Sequence, residues 1–233
     1  MVIINSPGNP SGGVLEDAEF EKLYHITSKQ GVFLLTAKKD VRMVGEAFTL
    51  RYIPAREDID QLGAFEGRGH PQREAIETCP PGQVLVMDAR RDASAATGGD
   101  ILMTRLMVRG AAGIVTDGGL RDSTTIEKLD FPVYCGARSA PLNLVRHHAI
   151  DLQQPIGCGG VAVYPGDVVV GDGEGVVVIP AKMADEVAKE ADAQTQFEDW
   201  VELKVKEGRT IFGLYPPSAE TKAEYEAWKS KNK

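Results

Sequence analysis

The chain is poor in residues that cross-link a protein, anchor it in a membrane or charge it positively. Its three cysteines, Cys79, Cys135 and Cys158, are widely spaced and form no CxxC pair. Neither a disulfide framework nor a cysteine-ligated structural zinc site is expected, and reduced thiols fit a cytosolic compartment. No window approaches the roughly 18 consecutive apolar residues of a membrane span. The opening MVIINSPGNP has no basic region, so it does not read as a secretory leader. Lys and Arg number 26 against 34 Asp and Glu, a net charge of −8. Nucleic-acid binders usually carry a basic face, so no nucleic-acid partner is expected. A small anionic substrate is still allowed, because a local arginine and a metal ion can outweigh distant charge. What remains is ordinary for a globular chain: 233 residues, 42% hydrophobic and 26% charged, enough to bury a sizeable core. These features predict a soluble, cytoplasmic protein with no membrane partner.

Three regions differ in pattern. Residues 1–40 form an atypical N-terminal segment: a short apolar run, a turn-rich stretch from Asn5 to Gly13, a helix expected over Val14 to Gln30, and a strand over Val32 to Leu35. From 41 to 180 strands and short helices alternate, which predicts an α/β domain. Strands are expected at Glu46–Ile53, with Phe48, Leu50 and Tyr52 on one face, and at Gln83–Met87, Gly113–Thr116 and Pro132–Cys135. Helices are expected at Gln72–Glu77, Asp100–Arg109 and Ser123–Lys128, the second packing Ile101, Leu102, Met103 and Leu106 inward. Ile156 to Pro180 reads as short valine-rich strands joined by tight turns, a small barrel or sandwich. Residues 181–233 form a helical tail.

Two short stretches carry chemistry. Gly98-Gly99 precedes the helix that begins at Asp100, leaving backbone N–H groups at its positive end, a site that suits a carboxylate. After twenty intervening residues, Arg121-Asp122 follows a strand end and the pair Gly118-Gly119. Arginine offers a planar fork for a carboxylate or a developing enolate. Aspartate is a hard oxygen ligand for Mg²⁺ or Mn²⁺. Each feature has a plainer reading. Asp100 could simply cap a helix, and Arg121-Asp122 could be a surface ion pair.

Asp100 with Arg121-Asp122 matches the signature of the RraA-like family, and the surrounding blocks resemble it in the same order. These are Arg42–Gly45 with Ala47–Leu50, Gly110–Asp122, and Pro155–Pro180. That family includes class II 4-hydroxy-4-methyl-2-oxoglutarate aldolases and proteins named as regulators of ribonuclease activity. The resemblance implies a layered α/β/β/α sandwich of swivelling-domain type with a helical C-terminal tail. It implies a metal-dependent pyruvate aldolase that also decarboxylates oxaloacetate. Asp122 would hold a divalent ion, Mg²⁺ or Mn²⁺. Arg121 and Asp100 would be catalytic. Gly99, Asp100, Ile101, Leu102 and Arg121 would bind a small 2-oxo acid, its carboxylate on the Ile101 and Leu102 amides. A homotrimer or hexamer is implied. The family's other face implies an alternative, a protein regulator that binds an endonuclease.

Other candidates weigh less. His70 lies on a glycine-rich segment just before Arg73 and could reach a site or stay solvated. His147-His148 lacks the spacing of a helical metal pair. Gly171–Gly175 lies between valine strands and reads as a hairpin turn, not a nucleotide loop. Residues 1–35 resemble a fragment of a fold-type I aminotransferase, with Asn9 in the position that touches the cofactor ring. The rest of that machinery is missing, so no pyridoxal phosphate binding is expected.

Overall fold

The structure, a computed structural model, describes residues 24–27, 33–35 and 42–232. The turn-rich opening, the Asn9 position and most of the helix expected over Val14 to Gln30 lie outside these residues. The described part of that expected helix is a strand, β1 (Tyr24–Thr27), and β2 (Phe33–Leu34) falls within the expected Val32–Leu35 strand. β1 pairs antiparallel with a valine strand far along the chain, a partner that local periodicity does not reveal. The chain divides into two compact units, Leu23–Ala181 and one containing Lys182–Lys233.

The larger unit is built on β3 (Met43–Pro54), a 12-residue strand. Its first residues pair antiparallel with β11, its middle pairs parallel with β4, and its end pairs antiparallel with β10. After β3 come α1 (Pro71–Thr78), β4 (Val84–Asp88), β5 (Ala96–Gly98), α2 (Asp100–Val108), β6 (Gly113–Thr116) and β7 (Gly119–Leu120). Next are α3 (Ser123–Ile126), β8 (Val133–Cys135), β9 (Ala137–Arg138), β10 (His147–Leu152), β11 (Val168–Asp172) and β12 (Gly175–Ile179). The main sheet runs β1-β12-β11-β3-β4-β6-β8-β2, with β10 on the far end of β3. The late valine strands are therefore not a separate barrel or sandwich. They extend the main sheet through β3, because that strand is long enough to serve neighbours at both ends. The expected turn between them is present, closing at Asp172 and Gly175.

Alternation along each strand makes two cores. Phe48, Leu50 and Tyr52 share one face with Leu85, Met87, Ile114 and Val133, under Ile76, Met103, Leu106 and Ile126 of the helices. Val84, Val86, Val115 and Tyr134 point the other way, onto Ile156, Val161 and Val163. Strands buried on both faces explain why Val84–Met87 is continuously apolar rather than alternating. The expected inward set of α2 is only partly realised. Met103 and Leu106 are buried, whereas Ile101 is 78% exposed.

A second, small parallel sheet, β5-β7-β9, positions the site. Each of its strands follows one strand of the main sheet: β5 after β4, β7 after β6, β9 after β8. The turns between layers are tight. A Cβ on Gly136 would sit 2.6 Å from the Asp117 carbonyl oxygen, so a side chain there would force the backbone apart. Asp117, buried in the β6–β7 turn, accepts from the N–H groups of Ala89, Arg91 and Gly159 at 2.7, 3.1 and 3.0 Å. It joins three loops through one carboxylate. Burial raises its pKa and the three N–H donors oppose that rise. The sequence signal for this role is an acidic residue at a strand end before two glycines.

The C-terminal unit holds α4 (Ala184–Lys206) and α5 (Ala219–Lys231). Trp200, Val201, Leu214 and Tyr225 form its own small core, and Phe197 meets Tyr225 edge-on at 5.1 Å. Ser218 caps α5, its hydroxyl accepting from Thr221 N–H at 3.2 Å. No described helix is long and apolar enough to cross a membrane.

Candidate active site

Parallel strands bind ligands at their carboxyl ends, where loops and helix N-termini converge. Here β5 and β7 are neighbours, so the chain after Gly98 and the chain after Leu120 emerge side by side. Arg121 N–H donates to the Gly98 carbonyl at 3.1 Å and locks the two exits together. Gly99 is extended and opens α2, its carbonyl accepting from Leu102 and Met103, each at 3.1 Å. Asp100 folds its own carboxylate onto Ile101 N–H at 2.8 Å. An anionic group thus rests on the helix's positive end, as the dipole favours. The Ile101 and Leu102 amides expected to receive a substrate carboxylate are both engaged within the chain.

Asp122 has an unusual backbone. It lies in the left-handed region, φ 57° and ψ 31°, at the N-cap of α3, yet its side chain does not cap that helix. Its carbonyl does, accepting from Thr125 and Ile126 at 3.0 and 3.1 Å. A strained residue whose carboxylate forgoes the usual cap points to a use elsewhere. The carboxylate turns toward Arg121, 3.3 Å from its Nε, and both side chains are half-exposed. Gly99 marks where these parts meet. A Cβ there would lie 2.5 Å from Asp122 Oδ2 and 2.9 Å from Arg121 Nε. The three parts read from the sequence therefore converge.

Beside them is a pocket of about 210 Å³. It is smaller than the roughly 300–1,000 Å³ of drug-sized ligand sites, a fit for a small acid. Gly98, Gly99, Asp100, Ile101, Leu102 and Arg121 line it. Asp122 borders it through Gly99 and does not line it. Phe65, Gln72 and Arg73 line it too, three residues that no local sequence motif marks. Gln72 is buried and donates from Nε2 to the Thr97 carbonyl at 2.6 Å. Arg73 lies over the Phe65 ring at 4.5 Å.

The histidines divide. His70 lies edge-on to Phe65 at 4.8 Å and does not line the pocket. Burial lowers its pKa, with Arg73 and His148 adding to the effect. His148 Nδ1 is 2.8 Å from Asp60, and His147 is buried with Nδ1 3.1 Å from the Arg90 guanidinium. All three cysteines are buried and free, and burial pushes Cys79 to about 11 and Cys135 to about 12. Neither thiol ionises near neutral pH.

Among the described residues no group of three or more His, Cys, Asp or Glu could hold a metal ion. A closed all-protein metal cage is therefore not present among them. Mg²⁺ does not need one, since it keeps several waters and takes one or two carboxylates plus substrate oxygens. Asp122, half-exposed beside the pocket, is a donor of that kind, so the residues fit a hard ion held by a single carboxylate.

The chain matches the RraA-like family, described as Aldolase/RraA, over residues 15–178. The match begins inside the segment read as atypical. A Halalkalibacterium halodurans protein, provisionally named a 4-hydroxy-4-methyl-2-oxoglutarate aldolase, is 37% identical over 119 residues, 51% of this chain and 56% of that one. A similarly named protein of Ectopseudomonas mendocina is 32% identical over 112 residues, 48% of this chain and 68% of that one. The chain thus spans just over half the length of the first of these relatives. Streptomyces coelicolor RraAS2, described as an unusual member of the RNase ES inhibitor RraA protein family, shares the fold with a TM-score of 0.68. It is 28% identical, covering 79% of this chain and 88% of that one.

Proposed function

This chain belongs to the RraA-like family, and from that premise we propose that it is a divalent-metal-dependent lyase releasing pyruvate from 4-hydroxy-4-methyl-2-oxoglutarate-type 2-oxo acids. The observation that supports this is the meeting of Arg121, Asp122 and the α2 N-terminus at Gly99, beside a pocket sized for a small acid.

In retro-aldol cleavage the 4-hydroxyl loses its proton, the C3–C4 bond breaks, and its electrons become the enolate of pyruvate, which then takes a proton at C3. Oxaloacetate loses carbon dioxide through the same enolate, so one site serves both. Arg121 faces the 2-oxo oxygen and stabilises charge as it develops there. The amide end of α2 orients the substrate carboxylate, displacing Asp100 from Ile101 N–H. Asp100, freed within the pocket lining, holds or passes a proton. A divalent cation held by Asp122, Mg²⁺ or Mn²⁺, supplies Lewis-acid polarisation of the 2-oxo group when bound. The reading includes a cytoplasmic protein assembled as a trimer or hexamer.

The test is pyruvate release from 4-hydroxy-4-methyl-2-oxoglutarate and from oxaloacetate, with Mg²⁺ and with EDTA. Release with Mg²⁺ that EDTA removes is expected. Equal, negligible release in both rejects the lyase. One observation favours a second reading, a regulator that binds a ribonuclease: the likeness to RraAS2. The net charge of −8 suits a basic partner. Capture of an endonuclease by a protein that releases no pyruvate would select it.

A further inference from the structure

The pocket carries a second cation that the lyase chemistry above does not use. Arg73, in the first turn of α1, lines it together with Gly99–Leu102 and Arg121. Its guanidinium stacks on Phe65 at 4.5 Å, which limits where its donors can point. Among the described residues it has no carboxylate partner. Burial lowers its pKa, and the nearby charge of Arg121 adds to that effect. Two guanidiniums held in one small pocket, with Asp100 as the acidic group of the lining, leave local positive charge in a protein of net charge −8. An arrangement that repels itself when alone is stabilised by an anion with two separated negative ends.

We propose that Arg73 is the specificity-determining residue of this site, reading the distal carboxylate of a dicarboxylic 2-oxo acid whose 2-oxo end lies at Arg121. This rests on the lyase reading and narrows it. Acids lacking the second carboxylate leave Arg73 desolvated and unpaired, so they bind and turn over poorly. Lysine at this position would keep the charge but lose the stacked, forked geometry.

The experiment compares two acids of equal chain length, 2-oxoglutarate and 2-oxopentanoate, by titration calorimetry in Mg²⁺ buffer. Wild-type protein is expected to bind 2-oxoglutarate about tenfold or more tightly, the size of a partly exposed charge-assisted pair. Arg73→Gln should reduce that preference to about twofold or less while 2-oxopentanoate affinity stays unchanged, and Arg73→Lys should recover part of it. A wild-type protein that binds both acids equally overturns the assignment and leaves the lyase reading standing. An Arg73→Gln variant that weakens both acids alike, or neither, does the same. A wild type that binds neither acid contradicts the lyase reading and the assignment with it.

Discussion

Arg121→Ala is expected to lower kcat for pyruvate release by about 100-fold, the effect of removing one donor aimed at developing negative charge. The backbone of Arg121 is held by Gly98 and its side chain lies against Gly99 and Asp122, which brings the guanidinium to the pocket. Truncation removes that charge and leaves β7 intact, because Leu120 supplies the buried contact there. Arg121→Lys should rescue little, since a point charge does not reproduce a planar fork. Asp122→Ala is expected to lower turnover at least tenfold, about 1.4 kcal/mol of barrier. Asp122→Asn is the better control for structure, because asparagine also tolerates the left-handed backbone that this position requires. Steady-state kinetics with thermal unfolding alongside decide the matter. Wild-type kinetics in the Arg121 and Asp122 variants would remove both residues from the mechanism.

Gly99→Ala should be as damaging, with kcat falling by about 100-fold while the melting temperature changes little. Gly99 has φ −141°, a conformation that alanine adopts freely, so no backbone strain is involved. The added methyl would meet Asp122 Oδ2 at 2.5 Å and Arg121 Nε and Cγ at 2.9 and 3.1 Å, and both half-exposed side chains can swing away. Movement relieves the clash and dismantles the site. Gly98→Ala provides the contrast, because its methyl would meet the Met103 side chain in the core at 2.9 Å and should lower stability instead. A fully active Gly99→Ala protein would show that Arg121 and Asp122 need not lie where the structure puts them.

Much of this architecture was legible because its signals are local. Phe48, Leu50 and Tyr52 alternate, and all three enter one core. The helix beginning at Asp100 announces itself by two glycines and an acidic first residue, and it starts there. Arg121-Asp122 after a glycine pair marks a strand end, and the ends of β5 and β7 do meet. What was not legible depends on distant partners. β1 falls inside a helical pattern, and its mate, β12, lies far along the chain. The valine strands suggested a separate module, since nothing local shows that β3 extends to receive β11. Ile101 fits the apolar pattern of α2 but sits in its first turn at the pocket mouth, so it stays exposed. Phe65, Gln72 and Arg73 lie before β4, and only the packing of α1 beside β5 brings them to the site.

The central claim is that the α2 amide end and Arg121 together grip the 2-oxo acid end of the substrate. Crystals soaked with Mg²⁺ and oxamate, an unreactive likeness of pyruvate, test it most directly. The account predicts oxamate between the Arg121 guanidinium and the Ile101 amide at the α2 N-terminus, with Asp100 displaced from Ile101 N–H. Oxamate bound elsewhere, or a pocket that stays empty at saturating concentration, would contradict it.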